Sequence, residues 1–310
     1  MIEIFAESEG MREALDVARR VAATDANVLI TGESGVGKDA LALFIHAKSS
    51  RREQPFVKID CATLPRELLE AELFGYERGA FTSATETKPG RLEAAHNGTL
   101  VLDEIAYLPT DAQAKLLRVI ETREFERLGG RNRLTVDARL IALTNVNLGE
   151  AVKRKNFRED LFYRINVVHI DVPPLRARTK DLPALVNAFL KSSAGKHGKD
   201  VSQISNEALG VLGEYEFPGN VRELANTIER AVIVAEGGRI EALDLPQSLQ
   251  AAVRVQRRKE KPLSLAEVEA EYVEETLKAT KGNKTEAAKI LGISRKNLYE
   301  RLARMNRVED

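Results

Sequence analysis

Three groups of residues in this sequence have types and spacing suited to chemistry on a phosphate. The first is Gly32-Glu33-Ser34-Gly35-Val36-Gly37-Lys38-Asp39. It follows the apolar run Val28-Leu29-Ile30 and opens a helical pattern through Leu41, Leu43, Phe44 and Ile45. Strand, glycine loop and helix is the order a phosphate cradle needs. Glycines let the backbone curl so that successive N–H groups and the helix N-terminus face the anion. Lys38 adds a point charge near the β- and γ-phosphates. The alternative is a glycine-rich turn without a ligand, and the correctly placed strand and helix argue against it. One residue departs from the general pattern. Where a Ser or Thr hydroxyl binds Mg²⁺, this chain has Asp39.

The second group is Asp103-Glu104, which closes the apolar run Leu100-Val101-Leu102. Two acids after a strand are ordinarily a solvated turn. Downstream of a phosphate loop they read as a metal-holding aspartate and a glutamate that polarises the attacking water. Because Asp39 is no neutral hydroxyl ligand, Mg²⁺ is expected to rest on Asp103, waters and the phosphates themselves. The third group is Arg158 and Arg164, within Phe157 to Arg164. A planar guanidinium suits stabilising a transferring γ-phosphoryl group from across a subunit interface. An ordinary surface ion pair with Glu159 or Asp160 fits the same residues equally well.

These groups need a scaffold, and the chain predicts one. Apolar strands at 28–30, 56–60, 98–104 (ending in the two acids) and 139–145 alternate with helical patterns, which argues for a parallel sheet covered on both faces. After Val172-Pro173-Pro174 only helical periodicity remains, through Leu182, Leu185, Phe189 and Leu190, then Ala208 and Leu212, then Val221, Leu224, Ile228 and Ala231. The expected divisions are an α/β nucleotide-binding part at 1–172, a helical lid at 173–246, a basic linker at 247–262 and a terminal helical domain at 263–310. The linker reading rests on Arg254, Arg257, Arg258, Lys259 and Lys261, ending in Pro262.

In the last segment, Ser264 and Glu267 have the spacing of a capping box, and Gly282 ends the helix they open. Asn283 caps a second helix, and Gly292-Ile293-Ser294 separates it from a third beginning at Arg295. That is the helix-turn-helix pattern. Ala287, Ala288, Leu291, Ile293, Leu298 and Leu302 form its buried side, leaving Arg295, Lys296, Asn297, Tyr299 and Arg301 outside with Ser294 as the cap. Such side chains hydrogen-bond phosphates and base edges in a major groove. A solvated helical hairpin is the plainer alternative, and the basic balance of residues 281–307 favours DNA.

Over the whole chain Lys+Arg and Asp+Glu are both 47, so net charge does not choose a partner. One cysteine excludes an intramolecular disulfide and suits a reducing cytoplasm. The four histidines lack the spacing of a zinc site. No apolar run is long enough for a membrane span, and no signal-peptide pattern is present, so a cytoplasmic protein without membrane contact is expected.

With these residues in view, the chain resembles the bacterial enhancer-binding proteins, activators of sigma-54 RNA polymerase that join an AAA+ P-loop ATPase to a Fis-type helix-turn-helix. The resemblance is carried by the phosphate loop with an acid at Asp39, Glu72 to Ala84, Gly98 to Glu104, Thr144-Asn145, Phe157 to Asn166, Pro218 to Leu224 and Gly292 to Arg295. It covers essentially the whole chain. It implies that Lys38, Asp103 and Glu104 are the Walker residues, that Thr144 and Asn145 are the first sensor of the γ-phosphate, and that Arg222 is the second. It implies that Arg158 and Arg164 act on a neighbouring subunit's nucleotide. It makes Gly79-Ala80-Phe81-Thr82-Ser83-Ala84 the loop that contacts the sigma factor, with Phe81 and Thr82 at the contact. Arg127 to Val136 would be a second moving loop.

The implied activity is hydrolysis of ATP with Mg²⁺ to remodel sigma-54 holoenzyme on DNA carrying an upstream activating site. The implied assembly is a ring, a homohexamer, with a dimer as the inactive form. Many relatives place a sensory domain before the ATPase. This sequence begins at the ATPase, so control is expected either from a separate regulatory protein or from a domain removed from the chain.

Three residues depart from the family pattern. Ser83 stands for the loop's second glycine and is expected to stiffen its tip. Asp60 stands where Asn usually restrains the catalytic glutamate, and it is expected to repel Glu104. Phe217 replaces a usual Trp. A regulator of the ordinary polymerase that uses nucleotide only for assembly is the second reading, and the near-intact contact loop argues against it. A remodeller of some other protein is the third, and the helix-turn-helix argues against that.

Overall fold

The computed structural model describes residues 4–82, 84–260, 265–280 and 282–305. Two compact units divide the chain, Met1–Pro246 and Gln247–Asp310.

In the first unit, strands β1 (Val28–Thr31), β2 (Phe56–Asp60), β3 (Thr99–Asp103), β4 (Arg139–Thr144) and β5 (Val168–Asp171) form one sheet. Its order is β2-β3-β4-β1-β5, with every neighbouring pair parallel. The continuous apolar runs have the cause expected of a covered parallel sheet, because alternate residues enter different cores. Leu29, Leu100, Leu102, Leu140 and Ala142 belong to one cluster. Val28, Ile30, Val101, Ile141 and Leu143 belong to the other, on the opposite face.

Helices α1 (Glu9–Ala22) and α2 (Lys38–Ala47) supply residues to the second cluster. Helices α3 (Arg66–Phe74), α4 (Thr110–Thr122) and α5 (Glu159–Ile165) supply the first. The carboxyl ends of β1, β3 and β4 thereby carry the glycine loop, the acid pair and Asn145 along one edge of the sheet, the usual place for a ligand in an open α/β fold.

The lid is helical, built on α6 (Leu182–His197), α7 (Asn206–Glu214) and α8 (Asn220–Val234), with a short parallel pair of Gln203–Ile204 and Arg239–Ile240. Asp181, fully buried just before α6, ties the lid to the start of the chain. Its carboxylate accepts hydrogen bonds from the Glu7 and Ser8 amides at 2.6 and 2.7 Å and from the Ser8 hydroxyl at 3.0 Å.

The second unit begins with α9 (Gln247–Glu260), so the residues expected as a linker are helical. Leu249 and Val253, one turn apart, are buried. Gln, Arg, Lys and Glu are good helix formers, so a polar basic composition does not separate an exposed helix from a linker. Helices α10 (Leu265–Ala279), α11 (Lys284–Ile290) and α12 (Arg295–Met305) follow. Asn283 caps α11, accepting from the Thr285 and Glu286 amides at 3.2 and 3.3 Å. Val273, Ala287, Ala288 and Leu298 form the core, with Leu277, Leu291, Ile293 and Leu302 packed against it. The capping box read at Ser264 lies outside the described residues.

One buried charge has no counterpart in the sequence reading. Arg139 opens β4 at 1% exposure and donates to the Val21 and Ala22 carbonyls at 2.8 and 3.3 Å, satisfying the end of α1. Burial pushes its pKa down. Arg139→Ala leaves those carbonyls unsatisfied beside a cavity, and is expected to cost about 3 kcal/mol in chemical denaturation. An unchanged denaturation midpoint would show that Arg139 does not hold α1 on the sheet.

Candidate active site

The glycine loop leaves the end of β1 and enters α2 through left-handed backbone at Gly35 (φ 78°) and Gly37 (φ 105°). A Cβ on Gly35 would lie 2.4 Å from the Gly219 carbonyl oxygen, so the lid approaches the loop as closely as a glycine permits. A Cβ on Gly37 would meet nothing within 4 Å, so this glycine is required by its backbone angle alone. Such alternation of backbone turns amides toward one concavity, which fits the donor set to a polyphosphate.

Lys38 lies at the base of the loop, 7% exposed. Its ammonium donates to the Gly32 and Glu33 carbonyls at 2.8 and 3.2 Å and stands 4.0 Å from the Glu104 carboxylate. Burial pushes its pKa down, and the charges of Glu104, Asp103 and Asp39 only partly offset that.

Asp103 and Glu104 are brought to the same place. Asp103 Oδ1 accepts from the Glu104 amide at 3.0 Å, and Glu104 has left-handed backbone with φ 51°. That conformation is uncommon for a non-glycine residue and turns the chain sharply at the end of β3. Glu104 Oε2 then accepts from the Asn145 amide at 3.1 Å. The Asn145 turn is braced in its turn by Thr144, whose Oγ1 accepts from the Val146 amide at 3.0 Å.

The Asp60 carboxylate accepts from the Ala62 amide at 2.8 Å, while Glu104 is held by Asn145 and faces Lys38. Asp39 and Asp103 share one cation that the sequence reading did not single out. The Lys58 ammonium, from the middle of β2, donates to Asp39 and lies 2.7 Å from Asp103 Oδ2. Burial lowers the Lys58 pKa, but its hydrogen bonds to Asp103 and Asp39 outweigh this and leave it raised.

The lid grips the loop through more residues than the expected Arg222. Arg222 donates from Nη1 to Ser34 Oγ at 3.0 Å and from its amide to the Gly35 carbonyl at 3.3 Å. Asn220, fully buried with φ 54°, donates to Glu33 Oε2 at 3.0 Å and to the Ser34 carbonyl at 3.1 Å. Its Oδ1 accepts from the Leu175 amide at 2.8 Å. Arg176 forms a two-point ion pair with Glu33 at 2.5 and 2.9 Å. The available signal for Asn220 was Pro218-Gly219-Asn220, a turn with residues that tolerate left-handed backbone. Arg176 carried none.

The paired arginines lie apart from this cluster. Arg158 forms a two-point pair with Asp160 at 2.7 and 3.0 Å, and Arg164 pairs with Glu121 at 3.0 Å. Both are surface pairs within the single chain. The Arg158 amide also donates to the buried Gln113 side chain at 2.8 Å, which fixes the start of α5.

In the contact loop, Gly79 donates from its amide to the Ala84 carbonyl at 2.8 Å and Ala84 to the Phe81 carbonyl at 2.9 Å, closing a compact turn. Ala80 lies against Gly129, whose Cβ would come within 2.8 Å of the Ala80 Cβ. The Phe81 ring, 37% exposed, rests edge-on against Tyr76 at 4.9 Å between centroids. Thr82 is exposed, and Ser83 lies outside the described residues. Arg127 braces the base by pairing with Glu77 at 2.9 Å and Glu93 at 2.7 Å.

In the second unit, Ser294 Oγ accepts from the Asn297 amide at 3.2 Å at the start of α12. Arg295, Lys296 and Asn297 are exposed. The Lys284 ammonium lies over the half-exposed Tyr299 ring at 4.7 Å. Arg301 differs from the other outer residues because it pairs with Glu269 of α10.

Sequence profiles of known families match the chain in order: the sigma-54 interaction domain over residues 4–171, the AAA+ ATPase lid domain over 176–262, and the Fis family of bacterial regulatory proteins over 264–305. This chain belongs to the family of sigma-54-dependent activators. The lid profile extends through α9, the segment read as a linker. Among the family's members, the regulatory protein AtoC of Escherichia coli is 43% identical, covering 96% of this chain and 67% of its own length. The nitrogen fixation protein AnfA of Azotobacter vinelandii is 46% identical over 97% of this chain and 57% of its own length. NtrX of Brucella abortus, crystallised with ADP, matches at TM-score 0.74 and 37% identity, over 98% of this chain and 69% of that one. NtrX crystallised with ATP matches at TM-score 0.72. The AAA+ domain is an ATP-binding ATPase domain, and the Fis-type unit is a DNA-binding module. Among the described residues, no helix is long and apolar enough to cross a membrane.

The lid contact predicts a pH dependence. Hydrogen bonds from Arg176 and then Asn220 hold the Glu33 carboxyl well below its usual 4.5, at about 2. A carboxylate depressed on folding contributes stability above its unfolded pKa and loses it as pH falls through the folded value. The stability difference between wild type and Glu33→Gln is therefore expected to be flat above pH 4.5 and to shrink toward pH 2, read from denaturation midpoints. A difference unchanged across that window would contradict the lid contact.

Proposed function

We propose that the chain binds and hydrolyses ATP at the Lys38–Glu104 site and uses the resulting motion of the Phe81 loop to remodel sigma-54 RNA polymerase holoenzyme for promoter opening. The observation that carries this reading is Glu104, turned out of β3 by left-handed backbone and tethered to the Asn145 amide beside Lys38. A carboxylate so placed can accept a proton from an attacking water, and its tether lies on the residue expected to sense the γ-phosphate. Change at Asn145 therefore reaches Glu104 through one hydrogen bond.

In this reading the loop amides and Lys38 hold the phosphates, Asp103 holds Mg²⁺, and Arg222 couples the lid to bound nucleotide. Asp103 is a hard oxygen donor whose orientation is fixed by the Glu104 amide, which fits Mg²⁺. When bound, Mg²⁺ neutralises charge on the β- and γ-phosphates.

Arg158 and Arg164 act on a neighbouring subunit in a ring, exchanging Asp160 and Glu121 for that neighbour's γ-phosphate. Phe81 leaves Tyr76 to meet the sigma factor. Ser294, Arg295, Lys296, Asn297, Tyr299 and Arg301 meet the upstream DNA site. The cytoplasm, where polymerase and DNA reside, is the setting this function requires.

Glu104→Gln is expected to lower ATP hydrolysis by about 10²–10⁴-fold with nucleotide binding retained, and Arg158→Ala by about 10³-fold. Mixing the two proteins should restore hydrolysis above either alone, because one supplies an intact site and the other an intact arginine. A mixture as inactive as its parts would place Arg158 outside the neighbour's site. Phe81→Ala should hydrolyse ATP at the wild-type rate yet lose nucleotide-dependent capture of sigma-54. Retained capture would remove Phe81 from the contact.

A further inference from the structure

Asp39 replaces the hydroxyl residue of the general phosphate-loop pattern, and the structure gives it a partner. Lys58 extends from the middle of β2, whose neighbour in the sheet is β3. Its ammonium reaches both Asp103, at the end of β3, and Asp39, in the first turn of α2. The two carboxylates are therefore joined by a cation that belongs to the chain.

We propose that Lys58 is a built-in counter-cation of the metal site, occupying Asp103 until a divalent cation arrives with nucleotide, and that Asp39 is the anchor to which it then withdraws. This rests on the nucleotide site proposed above.

The two oxygens of Asp103 have separate partners. Oδ1 is taken by the Glu104 amide, which fixes the carboxylate plane, and Oδ2 is taken by Lys58. Oδ2 is thus the oxygen a hard cation can claim, and a cation arriving beside the ammonium repels Lys58 from it. Asp103 is largely buried, whereas Lys58 and Asp39 are much more exposed. A lysine on a flexible stem can swing toward Asp39 and remain both paired and solvated. A hydroxyl at position 39 could not hold it there. Without Lys58, Asp39 and Asp103 would lose the ammonium that pairs with both of them, next to Glu104 and its own partner Lys38. Such an excess of negative charge attracts a divalent cation even without nucleotide. Lys58 and Asp39 are positioning residues in this account, and they keep the empty site from collecting free metal.

The test measures Mn²⁺ binding to the nucleotide-free full chain by electron paramagnetic resonance, with binding of a fluorescent ADP in EDTA measured in parallel. Lys58→Met is expected to bind Mn²⁺ at least about tenfold more tightly than wild type. Adding Asp103→Asn should abolish that gain, and Lys58→Arg should behave as wild type. Should Lys58→Met fail to bind ADP, Lys58→Gln carries the same expectation and replaces it. Equal Mn²⁺ affinity in wild type and the charge-removing variant, with ADP binding intact, would overturn the role of Lys58 alone. Failure of the wild-type chain to bind ADP would overturn the nucleotide site and this proposal together.

Discussion

The nucleotide site depends on the grip of the lid on the phosphate loop. Asn220 is at its centre: buried, in left-handed backbone, and bonded at once to Glu33, Ser34 and Leu175. A loop built from Gly32, Gly35 and Gly37 has little intrinsic preference for one shape. Its curvature is imposed from outside, by β1 on one end, α2 on the other and the lid across the middle. Arg222 and Arg176 enter through the same contact, so under the proposed function a change at the phosphates is expected to shift the lid.

Charge organises the rest. Lys38 and Lys58 stand among Asp39, Asp103 and Glu104, so the site is preassembled around internal cations. The arginines expected to act on a neighbour are paired within their own chain, with Asp160 and Glu121. Exposed pairs of this kind are worth little, so a neighbouring phosphate can take the arginines at small cost. The contact loop follows the same economy. Phe81 is folded on Tyr76 by one aromatic contact, while Arg127 holds the loop's base through Glu77 and Glu93.

The sheet was legible in the sequence because buried parallel strands are apolar throughout, and the glycine loop because its function constrains its backbone. Glu104 and Asn145 were legible as strand-end residues. What escaped was long-range. Lys58 sits in the sequence as one charge in an apolar strand, and only the pairing of β2 with β3 brings it to Asp103. Arg139 sits in the sequence as the first residue of a strand, and only the fold brings its guanidinium to the carbonyls at the end of α1. The helix over residues 247–260 was hidden for a different reason: charged helix formers also suit an irregular polar segment, and only Leu249 and Val253 mark a buried side. Arg301 fell on the expected outer face of α12, yet pairs with Glu269, which periodicity within one helix cannot reveal.

If hydrolysis at Glu104 drives promoter opening through Phe81, single-strand-specific footprinting of a sigma-54 promoter bearing the chain's upstream site, with sigma-54 holoenzyme and the wild-type protein, reads it out. An opened start region is expected with ATP, and none with a non-hydrolysable analogue, with Glu104→Gln or with Phe81→Ala. Opening in the presence of the analogue or of Glu104→Gln would contradict it.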